Sequence, residues 1–376
     1  MDGPRSLARP LAIMMAACAA AVLSLWLLGQ PAEPPAATLA QAELLAAAVK
    51  PGSNVLFNVF KKTESERAFD LEVIWKDFKK TEWTVRYPVS KIDLAAGEAE
   101  FGYTDAELEA EFRQPVEEMQ RESMAALRIF VQAEIARSRY GRYIHLVDKG
   151  TLAFDLNLTA SPEDVREAVR KEFRRVTAAM AEEQARQVKD MDKKLERFKA
   201  EFLAGRGIRL KDGMMSVAYG ACVSRNRPRV RSALEALRGA APSIGLYDFL
   251  SLLLAFIQEI PFVDQPLTEG EKVTLGFWIP PRVLVENAGD CDSKGLALAA
   301  IWKNFKNSPL IVFKVPNHLF LGLAIPSPAA EGTVTVGGLR YTLCEVTGQE
   351  LLPPGYISSY SLMYLENGRY SYERLD

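Results

Sequence analysis

The sequence of 376 residues predicts an α+β protein on three observations. Phe69, Leu71, Val73 and Trp75 alternate with polar residues, as do Trp83, Val85 and Tyr87, which is the period of half-buried strands. From Val165 to Phe202 apolar residues return every three or four positions, which is the period of a helix face. Further on, Cys291 opens a helical segment, and short apolar runs that read as strands then carry His318 and Glu345.

Arg5 and Arg9 precede an almost unbroken apolar run from Leu11 to Leu28, followed by the polar, proline-rich Gln30-Pro31-Ala32-Glu33-Pro34-Pro35. The run exceeds an ordinary signal-peptide core and is just long enough to span a bilayer. With the positive charges on its short N-terminal side, that side stays in the cytoplasm and the rest is exported. Residues 1–30 are therefore expected to be a signal anchor, or else a cleaved signal peptide, and residues 31–40 a linker. Cys18 resembles a lipoprotein cleavage cysteine, but the apolar run continues past it to Leu28, as an ordinary membrane-embedded residue requires.

Residues 41–205 read as an N-terminal α+β module. The two alternating runs around Lys79-Lys80-Thr81 form a hairpin. Thr104 with Glu107 is a capping box opening a helix that carries Leu108, Phe112, Val116, Met119, Leu127 and Ile135 on one face. Tyr143 to Val147 and Thr151 to Leu156 make a second hairpin through Asp148-Lys149-Gly150. Ser161-Pro162-Glu163-Asp164 starts a long helix over about 162–204, with proline in the first turn and acids facing the helix dipole.

Its apolar stripe, interrupted at Glu182-Glu183-Gln184 and set in dense mixed charge, suits a coiled-coil arm that could pair two copies as a homodimer, one side of a helical hairpin, or docking on the hairpins of the same chain. Gly205-Arg206-Gly207 ends the helix and marks a domain boundary, leaving 206–376 as the second domain. His145, on a strand remote from Cys291, reads as a strand histidine. Asn157-Leu158-Thr159 matches a glycosylation sequon, a triplet common by chance.

In the second domain Asp290 is the expected N-cap of a helix that begins at Cys291 and reads as amphipathic through Leu296, Ala297, Ala299, Ala300, Ile301 and Trp302. A thiol at the positive end of a helix, beside an imidazolium, is expected to have its pKa lowered from about 8.5 to roughly 3.5–7.5. Leu310 to Lys314 reads as a strand broken by Pro316, and His318 to Leu323 as the next. Gly337-Gly338 turns the chain into the alternating Tyr341 to Val346. His318 and Glu345 are then neighbours across a sheet. Cysteine, histidine and carboxylate are the parts of an activated thiol nucleophile: a thiolate, a base to generate it and an acid to orient the base. Only two histidines occur in the chain, which gives weight to one falling where a base is needed.

The segment from about Leu246 to the C-terminus resembles the transglutaminase-like cysteine peptidase superfamily in its bacterial branch. The residues that carry the likeness are Gly289-Asp290-Cys291-Asp292, Asn317-His318 and Glu345-Val346-Thr347-Gly348. The resemblance implies a papain-like core, with a helix bearing the cysteine packed on an antiparallel sheet. It makes Cys291 the nucleophile, His318 the base and Glu345 the acid, where aspartate is the more frequent third member.

Leu252 to Pro261 resembles the helix that precedes the cysteine in these proteins. Gln258 then either directs its amide at a developing oxyanion or is the polar side of a buried helix. Phe262 stands where that pattern usually has an aromatic hydroxyl.

Asp290 and Asp292 flank the cysteine, as acids do in calcium-regulated relatives, but Ser293 follows where another acid is expected, and two carboxylates fall short of the about six to eight oxygens calcium takes. Capping and helix-dipole roles are expected for both, with Asn317 supporting the histidine. No metal and no cofactor is expected. Among the cysteines, Cys222 with Cys344 is the one pair suited to a structural disulfide.

The net charge of −2, from 46 basic and 48 acidic residues, excludes a nucleic-acid footprint, and 48% hydrophobic residues suffice for more than one core. The expected function is a thiol-dependent amide-bond hydrolase acting on protein or peptide substrates in the bacterial cell envelope, anchored in the inner membrane. A protein-glutamine acyltransferase shares its first half-reaction, and an inert envelope interaction module is the non-enzymatic alternative.

Overall fold

The computed structural model describes residues 57–326, 332–348 and 351–375. The expected anchor and linker, Cys18 included, lie outside the described residues. No helix among the described residues is long and apolar enough to cross a membrane. The protein is α+β with antiparallel sheets.

The first hairpin is present as expected. β1 (Val59–Glu64), β2 (Ala68–Lys76) and β3 (Glu82–Ser90) form an antiparallel sheet in that order, with Trp75 opposite Trp83 and Val73 opposite Val85. Asp77 ties the β2–β3 turn, its carboxylate accepting from the backbone N–H groups of Lys79 and Thr81 and from Trp83 Nε1. Ser90 caps α1 (Lys91–Glu100) by accepting from the Asp93 N–H.

An inserted unit follows, covering Thr104–Phe202. The Thr104–Glu107 capping box is complete in both directions and opens α2 (Asp105–Arg137). β4 (Ile144–Asp148) and β5 (Phe154–Leu158) make the second hairpin, and α3 (Arg166–Gly205) returns along α2. Met124, Leu127 and Val131 of α2, Ile144, Phe154 and Leu156 of the hairpin, and Val176 and Met180 of α3 form one buried cluster. The first half of the long-helix stripe is thus covered by its own chain. At the break in the stripe Glu183 is held by Arg186 and Gln187, and Ser123 donates to Gln187 across the two helices at 2.8 Å. His145 lies on β4 beside Thr159.

The other unit is discontinuous, combining 57–103 with the chain from Leu203 onward. This corrects the expected boundary at 205/206, which placed the β1–β3 sheet with the helical module. The physical reason is the apolar face of β2 and β3, which packs against a helix late in the sequence. After β6 (Ile208–Lys211) and β7 (Met214–Val217) come α4 (Tyr219–Asn226), α5 (Arg231–Ala240) and α6 (Leu246–Glu259). Phe256 of α6 meets Trp75 edge to face at 5.2 Å between ring centroids, and Tyr87 at 6.5 Å. Burial of such rings contributes about 1.5–3 kcal/mol each.

α7 (Pro280–Glu286) and α8 (Cys291–Phe305) lead into a five-stranded antiparallel sheet. Its strands are β8 (Leu310–Val315), β9 (His318–Leu323), β10 (Thr333–Val336), β11 (Leu339–Cys344) and β12 (Ser371–Arg374), in the spatial order β10-β11-β9-β8-β12. α9 (Ser359–Glu366) precedes β12. α8 is not amphipathic as expected: every residue from Ser293 to Lys303 is buried, because neighbouring helices and the sheet enclose it on all sides. Cys222 and Cys344, the pair suited to a disulfide, are both free and buried. Cys222 donates instead toward the Gly207 carbonyl, and Cys344 toward that of Thr342.

Candidate active site

Cys291 is the first residue of α8, and the Asp290 carboxylate caps the helix by accepting the Ser293 N–H at 2.8 Å, as expected. Gly295, one turn on, permits the close approach of helix to sheet: a Cβ there would sit 2.9 Å from Leu319 Cδ2. That approach brings Cys291 to the head of β9, where the backbone N–H of Leu319, the residue after His318, favours its thiolate.

β8 and β9 are joined by the two-residue turn Pro316-Asn317, with Val315 opposite His318. Proline fixes its own φ near −65°, and Asn317 takes a φ of 52°, the left-handed value that a type II turn needs at its third position and that asparagine tolerates. Asn317 therefore serves by setting where β9 begins, and so where His318 projects.

β9 pairs with β11, Leu321 opposite Cys344, and Glu345 follows immediately. His318 Nε2 and Glu345 Oε1 are 2.6 Å apart, and the carboxylate is only 1% exposed. Its other oxygen accepts the Ser358 N–H at 3.2 Å and the Ser361 hydroxyl at 3.0 Å, from the N-cap and the first turn of α9. A carboxylate accepts, so Nε2 carries the proton and Nδ1 is left as the basic nitrogen of the neutral ring. The grip of Ser358 and Ser361 on Glu345 was not anticipated. Ser358-Ser359-Tyr360-Ser361 is a visible helix start, but nothing local says which acid it holds.

Of the two readings of Gln258, the contacts favour the buried polar side of its helix over the oxyanion donor. Gln258 is a clamp: its Nε2 donates to the carbonyls of Glu345 at 2.6 Å and Leu352 at 2.8 Å, and its Oε1 accepts the Leu352 N–H at 2.9 Å. Both amide hydrogens are engaged, so none is directed at an oxyanion.

The thiol of Cys291 is pushed well above its ordinary value, not below it. Burial is the main cause, followed by the Asp292 and Asp290 carboxylates, and these outweigh the opposing effect of the Leu319 N–H. Asp290 is itself pushed up to about 6, by burial and by Asp292.

Asp292 receives two donors, the Cys291 thiol at 3.3 Å on Oδ1 and the buried Tyr219 hydroxyl on Oδ2. Behind them, Lys294 donates to the carbonyls of Gln258 and Ile260 at the end of α6, and burial holds its pKa down at about 7. Phe262, more than half exposed, bridges Gly289 and thereby fixes the loop in front of Asp290 and Cys291.

Among the described residues no cluster of three or more His, Cys, Asp or Glu side chains is arranged to hold a metal ion. The site comprises a thiol at a helix start, an imidazole oriented by a buried carboxylate, and a second carboxylate on the thiol. In comparisons with known proteins, no family model, no curated protein and no solved structure matches the chain.

Proposed function

We propose that the protein is a thiol-dependent amide-bond hydrolase with a papain-like core of the transglutaminase-like cysteine peptidase type, acting on protein or peptide substrates. The observation that carries this reading is the His318–Glu345 pair at 2.6 Å, with the second Glu345 oxygen fixed by α9 and the Cys291 sulfur at the adjoining residue of the same strand. A cysteine at the start of a buried helix, packed on an antiparallel sheet whose neighbouring strands bring the histidine and acid together, also fits that core.

In the reaction, Cys291 Sγ adds to the amide carbonyl carbon as His318 Nδ1 takes the thiol proton. The backbone N–H groups of Cys291 and Asp292, which a helix start leaves without intrahelical acceptors, supply the donors for the oxyanion that Gln258 does not. Collapse breaks the C–N bond, and the imidazolium protonates the departing amine. Water, deprotonated by His318, then cleaves the thioester, releasing the acid and restoring the thiol.

A glutamine side chain as acyl donor and a lysine amine in place of water make the same site a transglutaminase. The upward-shifted thiol favours the non-enzymatic alternative, an envelope interaction module. The basic residues and apolar run at the N-terminus support export and membrane anchoring.

The test is to incubate the protein with mixed peptides, with and without an added primary amine, and to read the products by mass spectrometry. Cleavage or deamidation that disappears in Cys291→Ala supports the hydrolase, whereas amine incorporation supports acyl transfer. Identical products from wild type and Cys291→Ala would sink both.

A further inference from the structure

Resting on the reading of Cys291 as nucleophile, we infer that Asp292, held in place by Tyr219, is the resting partner of the thiol, and that catalysis requires the thiol to turn from Asp292 to His318. The S–H of Cys291 is directed at Asp292 Oδ1 at 3.3 Å, and no hydrogen bond joins the sulfur to the imidazole. Asp292 has no freedom to leave on its own account, because its other oxygen accepts the hydroxyl of Tyr219.

Tyr219 is only 6% exposed and is pinned in turn. The Lys314 ammonium lies 4.2 Å from its ring centroid and 3.5 Å from Glu373. Arg209 grips Glu373 with both terminal nitrogens, at 2.8 and 2.9 Å. A line of contacts from β6 and β12 through β8 and α4 thus ends on the atom that must become the nucleophile.

A carboxylate in this position does two things to a thiol. It accepts the S–H bond, which only the protonated form offers, and its negative charge repels the thiolate at short range. Both favour the thiol. The charged or titratable groups around the sulfur are Asp292, Asp290 and Lys294 from its own helix, Tyr219 from α4, and His318 with its partner Glu345 from the sheet. Of these, Asp292 alone accepts the thiol proton in a hydrogen bond.

In this scheme the thiol turns to His318 by rotation about the Cys291 Cα–Cβ bond. The proton then passes from Sγ to Nδ1, leaving a thiolate and an imidazolium while Asp292 remains a carboxylate. Asp292 and Tyr219 are positioning residues in this scheme: they set when the nucleophile is available and take no part in bond breaking.

The test is the rate of Cys291 alkylation by iodoacetamide against pH in the full-length protein, read on the Cys291 peptide by mass spectrometry. Wild type, Asp292→Asn, Tyr219→Phe and His318→Ala are compared. Asp292→Asn is expected to move the midpoint of the profile down by about one pH unit or more, raising labelling near neutrality about tenfold. Tyr219→Phe, which removes a single oxygen, is expected to move it the same way by a smaller step, and it keeps the test readable if Asp292→Asn does not fold.

An unchanged or upward-shifted midpoint in the folded variants overturns the inference. If Asp292→Asn shifts the profile while His318→Ala leaves it unaltered, the Asp292 contact stands and the hydrolase reading is the one that fails.

Discussion

His318 and Glu345 meet at 2.6 Å although they lie 27 positions apart in the chain, and the far oxygen of Glu345 is held by Ser358 and Ser361. The carboxylate therefore has one geometry, with the imidazole tautomer fixed by it. Glu345→Gln keeps the shape but removes the charge and disturbs the tautomer. Acylation of Cys291 is expected to fall by about 10²–10⁴-fold. Ser361→Ala, which removes one of the two anchors, is expected to cost roughly tenfold, in line with a single hydrogen bond to a charged group. Stopped-flow acylation rates of the two variants check this. Equal rates for Glu345→Gln and wild type would remove Glu345 from the site.

Gln258 should behave as structure and not as catalyst. Replacing it with alanine leaves the carbonyls of Glu345 and Leu352 and the Leu352 N–H without their present partner. The expected loss is about 2–4 kcal/mol of stability, from unsatisfied buried groups. Urea unfolding of Gln258→Ala measures it. A large fall in acylation rate with unchanged stability would restore the oxyanion role.

Glu259, at the end of α6, is 2% exposed, and its Oε2 has no hydrogen-bond partner. Burial pushes its carboxyl up to about 7, against the smaller opposing pull of Lys80 and Lys294. The folded state thus binds more protons than the unfolded state between the ordinary value of 4.5 and about 7. Stability contributed by this group is present at low pH and is lost as pH rises through that window. Glu259→Gln is expected to gain on wild type across the same window, by at most about 3 kcal/mol. Thermal melts at several pH values report it, and a constant difference between the two proteins would contradict the assignment.

The discontinuous unit predicts which fragments fold. Residues 206–376 alone would expose Phe256 and its neighbours, which Trp75 and Tyr87 cover, and are expected to be insoluble or unfolded. Deleting 104–202 and joining the ends with a short linker should leave a folded protein, because Gly102 and Arg206 already hydrogen-bond at 3.0 Å. Circular dichroism and cooperative melting of both forms decide the matter. Cooperative folding of 206–376 alone would overturn the division.

What the sequence made legible follows the range of the interactions. The β2–β3 hairpin, the Thr104–Glu107 box and the Asp290 cap are written in residues a few positions apart, and all three are present. The adjacency of His318 and Glu345 was also readable, since two alternating strands and the Gly337-Gly338 turn set it up.

β1 was missed because it reads Val-Phe-Lys-Lys-Thr-Glu and is mostly exposed, with no alternation to find. The grip of α9 on Glu345, the tie of Tyr219 to Asp292 and the cover of β2 over α6 join distant segments, and no local pattern encodes them. The thiol is a mixed case. Asp290 and Asp292 stand on either side of it in the sequence, but the burial that contributes most to raising the thiol comes from packing that no local pattern encodes.

The most direct measurement is the formation of an acyl-enzyme on Cys291 from p-nitrophenyl acetate, followed as p-nitrophenol release and located by peptide mass spectrometry. A burst on Cys291 that is lost in His318→Ala and strongly slowed in Glu345→Gln is the predicted result. Acetylation spread over surface groups, or on Cys291 at a rate indifferent to His318, would contradict the account of these three residues as a catalytic unit.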